Sequence, residues 1–372
     1  MRYRNSLLVA AALVGTAVTR IAAQDSLADA YKKSFLVGVA INRAQIYNED
    51  ARGDKIIKSQ FNCISPENVL KWESVHPKPG VYDFSATDHY VEFGEKNRMA
   101  IIGHTLVWHQ QTPKWVFEDD KGNPVTRNVL LQRMHDHIQT VVGRYKGRIK
   151  GWDVVNEALA DDGRLRESPW LKIIGEDYLE KAYEYAHQAD PKAELYYNDY
   201  ALENAPKRNG AIALIKELKA KGVPIHAIGL QGHDNLDWPT VEQQDATITA
   251  FESLGIKVNI TELDITVLPS PKETADATAT LESQAGLNPY KDGLLEAVEK
   301  KLAERYAELF KVFVKHRDAI ERVTFWGVTD ADSWRNDWPF RGRTDYPLLF
   351  DLKGARKPAF DAVMRVAKTE SQ

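Results

Sequence analysis

The sequence is poor in cysteine: Cys63 is the only one among 372 residues, which excludes a disulfide within the chain. It also lacks an excess of basic side chains, since 49 Lys and Arg stand against 53 Asp and Glu, for a formal net charge of −4. That balance gives neither the footprint of a nucleic-acid-binding protein nor a polybasic membrane patch. No repeat, low-complexity tract or linker occurs, so we expect no appended binding module.

Two motifs that define other enzyme classes are also missing. No glycine-rich phosphate loop follows the first apolar run, which disfavours a doubly wound nucleotide-binding sheet. No H-E-x-x-H sequence occurs, so metal-dependent hydrolysis with His104, His109 and His233 as ligands is a minority interpretation. We therefore expect neither a metal nor another cofactor.

The N-terminus has the composition of a secretion signal. Arg2 and Arg4 precede an apolar stretch over residues 6–19, and the small residues near 21–23 offer a cleavage site. This stretch is short and alanine-rich for a bilayer span, so cleavage after Ala23 is favoured over retention as an anchor helix. We expect a secreted monomer, periplasmic or extracellular and free of the membrane after cleavage, whose one domain covers residues 24–372.

Short apolar runs alternate with longer amphipathic segments through the rest of the chain. Several of the runs have few polar residues in their middles, as strands covered on both faces do. Eight such runs occur, at residues 35–41, 61–65, 100–108, 149–156, 193–199, 225–233, 257–264 and 322–330. Helical apolar spacing lies between them, for example at residues 130–146, 179–191, 206–222 and 302–318. This alternation predicts an α/β fold, a single parallel (β/α)8 barrel, with a doubly wound open sheet as the alternative.

Glutamates stand at the ends of two of these runs. "KGWDVVNEAL" leads into Glu157 and "VNITELDI" into Glu262, and the carboxyl ends of barrel strands surround one cavity. One such glutamate alone would more often cap a helix or pair with a cation. Two such glutamates, near strand ends rich in Trp, His and Asn, favour a catalytic site. Paired carboxylates that flank a sugar bond are what glycosidic hydrolysis requires, and the nine Trp offer flat faces for sugar rings.

Four stretches resemble the motifs of glycoside hydrolase family ten endo-β-1,4-xylanases. They are "GHTLVWHQQTPKW", "GWDVVNEAL", "NITELDI" and "TFWGVTDADSWRNDWP", and the similarity runs from about Leu36 to Phe360. The resemblance implies a (β/α)8 barrel, retention of anomeric configuration and internal cleavage of xylan, with no metal in the chemistry. Xylan and xylo-oligosaccharides are the expected partners.

The resemblance also implies roles for individual residues. Glu157 is similar to the general acid/base of the family and Glu262 to its nucleophile. Asn156 resembles the residue that binds the sugar 2-hydroxyl, and His233 with Asp264 resembles the pair that orients and charges Glu262. The other substrate contacts that it implies are Glu67, Asn68, Lys71, His104, Trp108, Gln111, Tyr200, Gln231, Trp326 and Trp334.

The sequence departs from the family pattern at three positions. Leu70 stands where Met is usual, Gln110 where a small polar residue is common, and Ala201 where Asn is usual. Ala201 removes a donor beside Tyr200 and so affects the leaving-group side. An extended loop is expected over residues 268–287.

Two other functions stay open. One is a non-catalytic carbohydrate-binding barrel, which would not need both glutamates, and the other is a barrel that cleaves glucose polymers.

We predict that the secreted protein begins at or within a few residues of Gln24, because signal peptidase cleaves after small side chains such as Ala23. N-terminal sequencing or intact mass of the secreted protein is the measurement. A mature chain that still begins at Met1 would contradict the secretion signal.

Overall fold

The computed structural model describes residues 26–269, 285–339 and 341–369 and shows a closed barrel of parallel strands. The strands are β1 Leu36–Ile41, β2 Cys63–Pro66, β3 Ala100–Val107, β4 Gly151–Asn156, β5 Glu194–Asp199, β6 Ala227–Leu230, β7 His233–Asn235, β8 Lys257–Thr266 and β9 Ile320–Phe325. Eight of them form the ring in chain order, β6 pairs with β8, and β9 closes on β1. The predicted (β/α)8 barrel is confirmed. The expected secretion signal and most of the loop over 268–287 lie outside the described residues.

Helices connect the strands and cover the outside of the barrel. Several begin at a Ser, Thr, Asn or Asp whose side chain accepts a hydrogen bond from a backbone N–H of the first turn, such as Thr126 and Thr240. None of the helices within the described ranges is long and apolar enough to cross a membrane. The helices are Leu27–Ala30, Arg43–Ile46, Ala51–Gln60, Trp72–Val75, Ser85–Lys96, Arg127–Arg144, Pro169–Ile174, Tyr178–Ala189, Ala205–Ala220, Val241–Glu252, Glu296–Lys315 and Pro358–Thr369.

The sixth apolar run differs from the expected single strand. β6 ends at Leu230, and the backbone turns at Gly232, whose φ of +76° lies in the left-handed region that favours glycine. After this turn, β7 pairs in parallel with the end of β8, so that His233 is the register partner of Asp264. The interruption therefore places His233 beside the acidic residues at the carboxyl end of β8.

The barrel interior contains both apolar and charged side chains. Cys63 lies in a small apolar cluster near the strand starts, and its complete burial raises the pKa of its thiol to about 11. The buried Arg322 guanidinium adjoins this cluster, 5.4 Å from the ring centre of its member Tyr196 and 3.8 Å from Asp153. Asp153 in turn lies 2.9 Å from Nδ1 of His104. The buried cation of Arg322 therefore has a buried carboxylate beside it.

We predict that Gly103→Ala lowers the free energy of unfolding by about 3 kcal/mol, because over-packing a filled core costs this order of energy. A Cβ at Gly103 would lie 2.1 Å from the ring of Trp152, which is buried and cannot withdraw. Chemical denaturation is the measurement. Gly143→Ala is the matched control: nothing lies within 4 Å of its added Cβ, and alanine in a helix should raise stability by up to about 1 kcal/mol. Equal effects of the two substitutions would contradict the packing argument.

Candidate active site

A cleft with a volume of about 700 Å³ opens at the carboxyl ends of the strands. The structure brings every residue of the implied catalytic and substrate-contact set to its walls, while Asp264 lies beneath them with no exposed surface. The residues on the walls are Glu67, Asn68, Lys71, His104, Trp108, Gln111, Asn156, Glu157, Tyr200, Gln231, His233, Glu262, Trp326 and Trp334.

Glu157 follows the last residue of β4 and is 9% exposed. Its carboxyl group accepts a hydrogen bond from the indole N–H of Trp108 at 3.0 Å and another from the Gln231 amide at 3.0 Å. Its backbone φ of +57° lies in the left-handed region, which residues with a Cβ seldom adopt. The side chain is therefore aimed by a backbone turn and then fixed by two neutral donors.

Glu262 lies within β8, 5% exposed, and its carboxylate has different partners. Asn198 donates to Oε1 at 2.8 Å, and Nε2 of His233 lies 3.2 Å from Oε2. Burial alone would raise the pKa of Glu262, but the hydrogen bond from His233, the nearby charge of His104 and the Asn198 amide outweigh it and lower that pKa. Glu262 is thus held as a carboxylate.

His233 obtains its charge from Asp264. Burial would lower the pKa of the imidazole, but the Asp264 carboxylate at 3.1 Å from Nδ1, together with Glu262, raises it to about 9. Asp264 also accepts hydrogen bonds from the Trp334 indole at 2.7 Å and from Nε of Arg335 at 2.9 Å. Although burial would raise its pKa, the charges of Arg335 and His233 lower it to about 2.

One wall of the cleft is built around a buried lysine. Lys71 is 7% exposed, and its ammonium donates to Asn68 at 2.8 Å and to Gln111 at 2.7 Å. It also lies 5.1 Å from the centre of the Trp108 ring. Asn68 in turn donates to the Glu67 carboxylate at 3.1 Å. This wall offers several polar groups already held in place, as a site for sugar hydroxyls requires.

Aromatic side chains form the other walls. Trp326 is only 8% exposed and meets the His104 ring edge to face, so it is as much core as wall. The ring of Trp334 lies 5.0 Å from His233 and 5.4 Å from Trp338, which is 51% exposed. Trp238 also lines the cleft. Sequence reasoning did not select Trp238 and Trp338, although a tryptophan close to motif residues was a signal that could have found them.

The wall beside Tyr200 contains further residues that the sequence did not reveal. Arg166 donates to the Tyr200 hydroxyl at 2.8 Å and lines the cleft with it. Ala201, where the family resemblance suggests Asn, has a φ of +50°, a conformation in which asparagine is enriched.

Arg335, directly after Trp334, was also missed. An arginine in the sequence gives no sign that it will meet a buried carboxylate, here that of Asp264.

The histidines considered as metal ligands bind other partners. His104 lies against Asp153, His233 lies between two carboxylates, and His109 meets the Trp108 ring edge to face. Across the described ranges, the structure has no group of three or more His, Cys, Asp or Glu side chains arranged to hold a metal ion.

A parallel eight-stranded barrel with two buried glutamates and several tryptophans in the cleft at its carboxyl end defines a glycoside hydrolase. The sequence matches Glycosyl hydrolase family 10 over residues 26–366. The chain belongs to this family and is a retaining glycoside hydrolase, as its motifs implied.

Known relatives extend over nearly the whole chain. An endo-1,4-beta-xylanase A of Xylanibacter ruminicola is 46% identical over 92% of this chain and 94% of that protein. A beta-1,4-xylanase of Dictyoglomus thermophilum is 44% identical over 91% of this chain and 90% of that protein. Among solved structures, an endoxylanase of family 10 retrieved from a sugarcane soil metagenome is 45% identical, with a TM-score of 0.87 over 92% of this chain and all of that chain.

We predict that Asp264→Asn lowers the pKa of His233 well below about 9, because the carboxylate that favours the imidazolium is lost. Since a raised histidine pKa stabilises the fold below the ordinary value near 6.5, wild-type stability due to His233 should disappear as the pH rises through about 9. In the variant this loss should move to lower pH. NMR titration of histidine imidazoles, combined with unfolding at each pH, measures both.

The matched control for this titration is Asp136→Asn, which removes the exposed carboxylate that lies 3.0 Å from His135. It should leave the titration of His233 unchanged. A His233 signal that still titrates near pH 9 in Asp264→Asn would contradict the assignment of its charge to Asp264.

Proposed function

We propose that this protein is an endo-1,4-β-xylanase in which Glu157 is the general acid/base and Glu262 the nucleophile. The observation that carries the proposal is the different surroundings of the two glutamates in one cleft. Glu262 is held as an anion by His233 and Asn198, whereas the donors to Glu157 are the neutral Trp108 indole and Gln231 amide. Two carboxyl groups with unlike environments are what acid and nucleophile roles require. The names of the relatives support xylan as substrate.

The first chemical step transfers the sugar to the enzyme. An oxygen of Glu262 attacks the anomeric carbon while the glycosidic C–O bond breaks, and the proton of the Glu157 carboxyl group passes to the departing oxygen. The imidazolium of His233 orients Glu262 for attack through its contact at 3.2 Å. Because Asp264 lies behind it and is fully buried, His233 keeps both its position and its charge.

The second step returns the enzyme to its starting state. Glu157, now a carboxylate, removes a proton from water, and the water oxygen attacks the anomeric carbon and displaces Glu262. Two successive inversions give net retention. The hydrogen bonds to Glu157 from Trp108 and Gln231 keep its carboxyl group in one place for both proton transfers.

Preference for a pentose polymer is a proposal about the wall between Lys71 and Trp334. A glucose unit carries a hydroxymethyl group that a xylose unit lacks, and it must fit near these two side chains. The ammonium of Lys71 is bound by Asn68 and Gln111, and the Trp334 indole is bound by Asp264. Because both side chains are held by hydrogen bonds, neither can move aside for a hydroxymethyl group without breaking them. This wall therefore favours xylan over cellulose.

We predict that the wild-type protein releases xylo-oligosaccharides from xylan and much less sugar from cellulose. The two glutamate variants should differ in which substrates they still cleave and in the product that azide gives. Glu262→Ala should lose activity on every substrate by about a hundredfold or more, and azide should restore it with inverted product. Glu157→Ala should lose xylan cleavage but keep the first step on aryl xylosides with acidic phenols, which need no proton. Azide should then give a retained glycosyl azide.

Product analysis and NMR of the anomeric configuration are the measurements. Glu308→Ala is the control, since this half-exposed residue lies on the outer helix Glu296–Lys315 and should leave activity unchanged. Exchanged azide patterns would reverse the two roles. Full activity in both glutamate variants would refute the site, and binding of xylan without cleavage by the wild type would favour the non-catalytic alternative.

A further inference from the structure

The chain reverses direction directly after Glu157. Residues 158–166 form a tight hairpin in which Leu159 and Leu165 make an antiparallel bridge. Glu157 stands at the start of this hairpin with its φ of +57°. A residue other than glycine keeps such a conformation only where its surroundings enforce it. The contacts of this hairpin therefore determine where the Glu157 side chain points.

Arg166, at the end of the hairpin, reaches back to the acid/base residue. Its Nε donates to the backbone carbonyl of Glu157 at 3.0 Å, and one terminal nitrogen donates to the carbonyl of Leu159 at 3.0 Å. The same terminal nitrogen donates to the Tyr200 hydroxyl at 2.8 Å, and the Arg166 backbone N–H donates to Ala158 at 2.7 Å. One side chain thus joins the incoming arm of the hairpin, at Glu157 and Leu159, to the cleft wall at Tyr200.

The opposite side of the hairpin entrance is held by strand β5. The backbone N–H of Glu157 donates to the carbonyl of Asn198 at 2.9 Å, and that of Leu159 donates to the Asp199 carboxylate at 3.3 Å. Asp199 and Lys207 form a fully buried ion pair at 2.9 Å. The backbone N–H groups of Glu157 and Leu159 are therefore held from the barrel side. Their carbonyl groups are held from the cleft side by Arg166.

We propose that Arg166 is a positioning residue for proton transfer: it holds the Glu157 backbone in its left-handed conformation and ties it to the Tyr200 wall. This inference rests on the proposed role of Glu157 as acid/base. Its guanidinium is a planar fork that reaches three acceptors at once, which the tetrahedral ammonium of lysine cannot reproduce. Arg166→Lys therefore keeps the charge and removes the geometry, so it separates a positioning role from a purely electrostatic one.

The experiment compares two substrates that differ in their need for a proton. Xylohexaose has a poor leaving group and depends on the general acid, whereas 2,4-dinitrophenyl β-xylobioside does not. For Arg166→Lys, we expect kcat/KM on xylohexaose to fall by about a hundredfold, since a misplacement near 1 Å costs that much. On the dinitrophenyl substrate, kcat/KM should fall by less than about threefold. Tyr200→Phe, which removes one of the three acceptors, should show the same split with a smaller loss.

Arg164→Lys is the matched control, because Arg164 lies on the same hairpin but its side chain is 87% exposed and pairs with Asp162. It should leave both rates unchanged. Equal losses of Arg166→Lys on the two substrates, or no loss on xylohexaose, would overturn the inference. Denaturant unfolding checks that Arg166→Lys is folded; if it is not, the split in Tyr200→Phe decides.

Glu157→Ala, measured with the same two substrates, separates the two proposals. If it lacks the leaving-group split, the acid/base role itself is wrong. If Glu157→Ala shows the split and neither Arg166→Lys nor Tyr200→Phe does, only the positioning role fails.

Discussion

The cleft depends on one buried charge, the carboxylate of Asp264. It has no exposed surface, and a buried anion of this kind is tolerable only with several charged and polar donors around it. Its donors come from separate parts of the chain: His233 from β7, and Trp334 and Arg335 from the segment after β9. The contacts to this one carboxylate bring three elements together at the mouth of the barrel. They also give Glu262, the proposed nucleophile, a cationic neighbour.

The two glutamates line the same cleft, yet the fold gives them different surroundings. Glu262 lies within β8 among donors that favour its anionic form. Glu157 follows its strand through a left-handed turn, and Trp108 and Gln231 bind its carboxyl group. The barrel thus supplies the approximate placement of both glutamates, while local turns and buried pairs supply the difference that the proposed acid/base and nucleophile roles need.

Much of the fold and of the site was predictable, for reasons visible in particular residues. The eight apolar runs identified the barrel strands because burial on both faces leaves a continuous apolar signature. Glu157 and Glu262 stood out because apolar strands rarely end on unpaired carboxylates. The break in the sixth run was missed, since a Gly232 with positive φ looks like any other glycine in sequence. Arg166 and Arg335 were missed because an arginine in a list of residues does not reveal its acceptors.

By itself, the sequence determined the barrel, its strand order and the two glutamates, because periodicity and motif spacing are local properties written along the chain. Only the tertiary structure decided which groups meet: that Asp264 charges His233, that Lys71 lies buried between Asn68 and Gln111, and that Arg166 returns to the carbonyl of Glu157. These contacts join residues far apart in sequence or across a turn. Their strength comes from burial and from donor–acceptor distances of about 3 Å, which exist only once the barrel has closed.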